Sequence, residues 1–379
     1  MVEDRIKTLT SCRLCPRKCG VDRIHGKTGY CGMDGQVRVA RAALHMWEEP
    51  CISGKKGSGA VFFTGCGLRC CFCQNHNIAI GESGKIITVN RLADIFLELE
   101  QKGAANINLV TATQYVPQVI EALEKARDKG FHLPVVYNSS GYESISTIRS
   151  LEGYVDVYLP DFKYAEEELA ADYSNAPEYP TTAKLALKEM VRQTGDCVFD
   201  RDGYMIRGTM VRHLILPGHT KNAIKVMEYL KKTYGDHIFI SIMNQYTPVF
   251  KQEKYKELNP EKYQQDVEKI IQSGKTPAGM HIPICVNEIL EFLNIQHGQI
   301  GLDATLGYGG LSRKMLEKLQ GQGHLYATDV DPIESEKTRS RLEEAGYGPD
   351  ILTIRRMNFA QLDEVAPGVQ FDFVLADLG

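Results

Sequence analysis

The sequence predicts an α/β protein built in two blocks, and three observations carry this. Apolar strand-like runs alternate with helix-like stretches from about residue 60. The same alternation restarts beyond a Gly- and Pro-rich break near residue 273. Cysteine is crowded into the first 73 residues. Apolar strands joined by helices make a parallel sheet covered by helices. Six such units in the first block suit a partial (βα)6 barrel rather than a closed eightfold one. The second block reads as an incomplete Rossmann-like half-domain. At about 150 residues per domain, 379 residues also correspond to two or three domains.

In order, residues 1–59 form a Cys-rich extension and residues 60–272 the partial barrel. Barrel strands are expected at Val61–Thr64, Ile107–Ala112, Val135–Ser139, Val155–Pro160, Val211–Leu216 and Ile238–Met243. Helical periodicity falls on Arg91–Lys102, Pro117–Lys129, Lys184–Gln193, Lys221–Thr233 and Pro260–Gln272. Residues 273–280 read as a linker because Gly, Pro and small residues dominate there. In residues 281–379 a helix is expected at Val286–Leu293, then strands at Ile300–Thr305, His324–Asp329, Ile351–Arg356 and Phe371–Ala376.

A net charge of −4 argues against nucleic-acid binding by bulk electrostatics. No apolar run is long enough for a membrane span, and the opening MVEDRIKTLTSC has no apolar leader core, so a cytoplasmic protein is expected. Of 11 cysteines, nine lie between Cys12 and Cys73. In a reducing compartment, clustered thiols bind metal or do redox chemistry more often than they form disulfides.

Cys66, Cys70 and Cys73 are spaced C-x3-C-x2-C directly after the first barrel strand. Three thiolates on one tight loop can hold three irons of a [4Fe–4S] cluster and leave the fourth open. Zinc fits less well, because a closed zinc site wants four ligands. Cys12, Cys15, Cys19 and Cys31 form a candidate second metal site, zinc or a second iron–sulfur cluster, and Cys51 is a spare ligand. In the second block, Asp303-Ala304-Thr305-Leu306-Gly307-Tyr308-Gly309-Gly310 follows a strand and opens a helix. The next strand ends in Asp329, placed to accept ribose hydroxyls.

The cysteine loop resembles the signature of the radical S-adenosylmethionine (SAM) superfamily over about residues 10–272. A closer similarity is to the pyruvate formate-lyase activating enzyme-like proteins, in the branch called PflX. Cys15-Pro16-Arg17-Lys18-Cys19-Gly20-Val21, His45-Met46-Trp47-Glu48-Glu49-Pro50, Asn106–Thr111 and Tyr246-Thr247-Pro248 carry it. The resemblance implies a [4Fe–4S] cluster at Cys66, Cys70 and Cys73, SAM on its open iron, and reductive cleavage to a 5′-deoxyadenosyl radical that abstracts hydrogen. It also implies a one-electron reductant such as flavodoxin or ferredoxin, with activation of a glycyl-radical protein as one option. SAM contacts would come from Phe72, Thr111, Thr113, Asn138 and Ser139, with Asp161, Lys163, His213, Asn244 and Gln245 as further strand-end candidates. Relatives carry Gly-Gly-Glu where this chain has Thr111-Ala112-Thr113. Arg69, Lys163 and Arg212 are candidates to meet an anionic substrate.

Residues 280–379 resemble the start of the 16S rRNA cytosine-N4 methyltransferases, the MraW/RsmH family, through His281-Ile282-Pro283, Asn287-Glu288 and Asp303–Gly307. This implies SAM contacts at Gly309, Gly310, Leu311, Asp329, Phe359 and Asp377, with Leu311 where the family usually has histidine. The family continues past Gly379 into its RNA-gripping part, so small-subunit rRNA is a partner only for a completed segment. A truncated second enzyme fused to the first is therefore expected. A zinc-stabilised binding protein is the alternative without turnover.

Overall fold

The computed structural model of the chain describes residues 2–243, 246, 258, 286–357 and 364–375. The chain divides into two units, Met1–His213 with Lys225–Ser241, and Leu214–Ile224 with Ile242–Gly379. The larger sheet contains β1 (Arg38–His45), β2 (Ser58–Phe63), β3 (Lys85–Ile86), β4 (Ile107–Val110), β5 (Val135–Ser139), β6 (Val157–Pro160), β7 (Val198–Phe199), β8 (Met205–Leu214) and β9 (Phe239–Met243). Its order is β3-β1-β2-β4-β5-β6-β8-β7, with β9 also on β8.

Strands β2, β4, β5, β6 and β8 run parallel in sequence order. Helices Val89–Gln101, Val116–Asp128, Ile145–Ser150 and Tyr179–Thr194 lie in the intervals between them. The first shows why these segments are helical. The Thr88 side chain caps it by accepting from the Arg91 N–H, and Leu92, Ile95, Phe96 and Leu99 bury one stripe. That stripe joins Ile107, Leu109, Val135 and Tyr137 from one face of the sheet.

The opposite face carries a smaller apolar layer of Val136, Val157, Leu159, Met205 and Met210. By strand alternation Asn108, Asn138 and Arg212 point to that same face. One side of the sheet is thus sealed by helices, while the other presents polar side chains.

Two departures from the expected elements matter. The Cys-rich extension is not separate from the sheet, since β1 pairs antiparallel with β2 and β3 with β1. Strand β8 also begins six residues before the expected Val211. Gly208 sits inside it at φ +138, where a Cβ would press on Cys197; a mid-strand glycine reads as a break in sequence.

The second unit holds β10 (Ile300–Asp303), β11 (His324–Asp329), β12 (Leu352–Arg356) and β13 (Phe373–Leu375), all parallel, in the order β12-β11-β10-β13. Helices Gly310–Leu319 and Pro332–Glu344 connect the first three. Leu306, Leu311, Met315, Leu325, Ile354 and Phe373 pack its core. The helix Val286–Leu293 stands where expected. The expected helix Pro260–Gln272 and the linker at 273–280 lie outside the described residues. Among the described residues no helix is long and apolar enough to cross a membrane.

Candidate functional sites

Strand β2 leads straight into the cysteine loop. Gly65 makes the turn at φ +92, where a Cβ would lie 2.4 Å from Met33. The loop is pinned by the Cys71 N–H on the Tyr173 carbonyl (2.8 Å) and the Cys73 N–H on the Cys70 carbonyl (3.2 Å). The Leu68 N–H donates to Cys66 Sγ at 3.4 Å. Burial pushes the Cys66 thiol up and the Cys73 thiol to about 12. At Cys73 the neighbouring Cys70 and Cys66 add to the rise, and Lys163 opposes it. Burial thus disfavours the thiolate at Cys66 and Cys73, and a bound cation would offset that. Their donor chemistry fits an iron–sulfur cluster. Among the described residues no three Cys, His, Asp or Glu groups are arranged to hold a single metal ion.

Phe72 packs edge-on against Tyr164 and Tyr173. Its ring is buried in these contacts. Arg69 lies over the Tyr30 ring, with its guanidinium against Gly32.

Around the strand ends the structure brings together residues that nothing in the sequence pairs. Arg212 donates to Glu48 Oε1 (2.7 Å), Asp161 Oδ1 (3.0 Å) and Asn138 Oδ1 (2.7 Å). Glu48 Oε2 accepts from Asn108 (2.8 Å) and Asn138 (3.1 Å), and Lys163 donates to Asp161 Oδ2 (2.7 Å). Burial works to raise Asp161, but Lys163 and Arg212 outweigh it and hold the carboxyl below its usual range. Burial raises Glu49 against the pull of Arg212. Arg212 and Lys163, named as candidate cations for an anionic substrate, are thus both engaged in internal ion pairs, and Arg69 is packed into the leader. Glu48 and Glu49 were absent from the expected site. They are consecutive acids beside an exposed Trp47, a pattern that reads as surface.

Thr113 and Ser139 belong to a second buried group. The Thr113 hydroxyl donates to Glu143 Oε1 (2.7 Å), and Tyr137 donates to Thr113 (3.3 Å) and Glu143 (3.4 Å). Burial lifts the Glu143 carboxyl to about 8, against these hydrogen bonds and one from Ser139. Thr111 adopts φ +44 and donates its N–H to the Asn138 carbonyl. His213 is buried, with Nδ1 on the Phe162 carbonyl at 2.6 Å and no partner at Nε2; burial lowers it to about 4. Asn244 and Gln245 lie outside the described residues.

Cys12, Cys15, Cys19 and Cys31 line one small pocket with Arg23, Gly67, Thr113 and Gln114. A Cβ on Gly67 would sit 3.3 Å from Cys15 Sγ, so this pocket abuts the Cys66 loop. Burial pushes the Cys15 thiol up to about 12.

In the second unit the chain leaves β10 through Gly307 (φ +48) and Gly309 (φ +76), and the helix begins at Gly310. A Cβ on Gly309 would lie 2.6 Å from the Thr338 methyl. Asp329, at the end of β11, accepts from the Gly307 N–H (2.8 Å) and the Asp331 N–H (2.8 Å). Thr338 donates to the Gly307 carbonyl (2.8 Å), closing the turn from the other side. Leu311 faces the core, leaving only its backbone to the loop. Phe359 and Asp377 lie outside the described residues. In a sheet ordered 3-2-1-4, β10 is where the direction of winding reverses. A glycine turn and an acid lie together there, and ligands of open α/β sheets bind at such switch points.

Comparison with known proteins places the second unit. A family model for the MraW methylase family matches residues 278–379. The chain is 67% identical over 129 residues to ribosomal RNA small subunit methyltransferase H 1 of Agathobacter rectalis, covering 34% of this chain and 37% of that protein. It thus spans about a third of that relative's length. The 129 matched residues exceed the 100 from Met280 to Gly379, so the similarity begins upstream of Met280. An uncharacterized protein of Methanocaldococcus jannaschii is 25% identical over 270 residues, covering 69% of this chain and 73% of its own. A solved structure of histidine-tagged anSMEcpe with bound AdoMet aligns at TM-score 0.35 and 14% identity over 55% of this chain and 56% of its own, too distant to bear on fold or function. The C-terminal segment is therefore similar to the MraW-type rRNA methyltransferases, and the first unit has a relative without an assigned activity.

Proposed function

We propose that the second unit is a SAM-binding segment of the kind used for methyl transfer to small-subunit rRNA. The observation that carries this is the glycine turn at 307–310 facing the Asp329 carboxylate at the switch point of the sheet. Glycine lets the backbone approach the ligand closely, the helix N-terminus at Gly310 favours the methionine carboxylate, and Asp329 accepts the ribose hydroxyls. Titrating SAM into the full chain should give saturable binding. Asp329→Asn should weaken it roughly ten- to a hundredfold, about the value of one or two charged hydrogen bonds. Equal binding by the variant would defeat the assignment.

A second reading concerns the first unit, and the Cys66, Cys70 and Cys73 loop at the end of β2 favours it. These three thiols would hold a [4Fe–4S] cluster, which supplies one electron to the sulfonium of bound SAM. The chain's own part is to bury the loop, pack Phe72 edge-on against Tyr164 and Tyr173, and set Lys163 where its charge favours the thiolates. Anaerobic reconstitution with iron and sulfide, reduction and SAM should then yield 5′-deoxyadenosine that depends on each of the three cysteines. Stoichiometric zinc and no iron uptake by the loop would rule this out.

A further inference from the structure

We propose that Cys12, Cys15, Cys19 and Cys31 hold an iron–sulfur cluster of their own, with Arg23 as its buried counter-charge. The proposal is independent of what the Cys66 loop holds. All four cysteines line one small pocket that opens to solvent. Zinc would draw them to within about 2.3 Å of a single point. No such convergence of three or more ligands exists among the described residues, and all four cysteines are described. Thiols that ring a space without meeting at a point suit a polynuclear centre, whose ligands sit on separate irons.

Arg23 is the independent second observation. Its side chain is 1% exposed, and it donates to the carbonyls of Met33, Asp34 and Gln114 and to Cys12 Sγ at 3.7 Å. None of these acceptors carries a charge when Cys12 is a thiol, and among the described residues no carboxylate pairs with the guanidinium. A buried cation without an anion is costly. Four thiolates around a cluster supply the missing negative charge. The Tyr30 N–H, which donates to Cys19 Sγ at 3.3 Å, is the kind of backbone donor that steadies a ligating sulfur. Each thiol that binds iron releases its proton to solvent, so assembly needs no redox step at cysteine.

The test is the full chain carrying Cys66→Ala, Cys70→Ala and Cys73→Ala, reconstituted without oxygen. About four iron and four sulfide per chain should remain. Adding Cys12→Ala and Cys19→Ala should remove them. One zinc per chain without sulfide, or no metal at all, would overturn the proposal. Arg23→Gln tests the counter-charge without touching a ligand: the reduction potential of the retained cluster should become more negative. An unchanged potential would remove Arg23 from the site.

Discussion

Replacing Arg212 with methionine probes the buried network on the open face of the sheet. The guanidinium bridges Glu48, Asp161 and Asn138, with its side chain 14% exposed and those of its two carboxylate partners 9% and 15%. With Lys163 the charged quartet sums to zero. Methionine keeps most of the packing volume but leaves Asp161 with Lys163 alone and removes the Arg212 ion pair from Glu48. Breaking a buried pair from one side costs about 3–5 kcal/mol. Hydrogen exchange on β4, β5 and β6 reads this within the first unit. Protection there should fall by roughly two to three and a half orders of magnitude. A pH arm separates charge from packing. The Asp161 carboxyl is held below its usual range, so its contribution is present above the unfolded value of about 3.9 and is lost as pH falls through the folded value. Without Arg212 the stranded carboxylates take up protons more readily, so the deficit at pH 7 should shrink toward pH 4. A loss under about 1 kcal/mol, or a deficit that ignores pH, would refute the network as an electrostatic unit.

Three further outcomes are expected. Glu143 is raised to about 8, so its contribution is complete below the unfolded value of about 4.3 and is lost as pH rises through 8; Glu143→Gln should flatten that decline in exchange protection of β5 between pH 5 and 8. His213, lowered to about 4, has the opposite sign: its contribution is present above about 6.5 and is lost as pH falls toward 4. His213→Asn, which can still donate to the Phe162 carbonyl, should remove that acid-side loss, and an unaltered pH profile would show that the imidazole does not titrate there. In the second unit, Gly309→Ala meets both a positive φ and the Thr338 methyl at 2.6 Å. It should cost about 1–3 kcal/mol, read as loss of protection in β10 and β11, and a neutral result would mean that the turn relaxes freely.

What the sequence disclosed and what it hid divide along the range of the interactions. Strand β5, strand β11 and the helix Val286–Leu293 fall where expected because their signals are local: an apolar run or stripe, with breakers at its ends. The gathering of Cys12, Cys15, Cys19 and Cys31 was also legible, since short spacings leave the chain few ways to separate the thiols. Strand β1 was not, because Arg38–His45 interleaves two arginines with small residues and becomes a strand only by pairing with β2. The Arg212 network was hidden more deeply. Glu48 and Arg212 are 164 residues apart, and each alone looks like a solvated charge. Their burial follows from strand alternation, which sends Asn108, Asn138 and Arg212 to the face that the helices leave uncovered. Once three polar side chains share that face, an acid from the β1–β2 connection is the group that satisfies them. The charges that a sequence offers singly are thereby joined into one network, in which Arg212 and Lys163 each hold a carboxylate of the first unit.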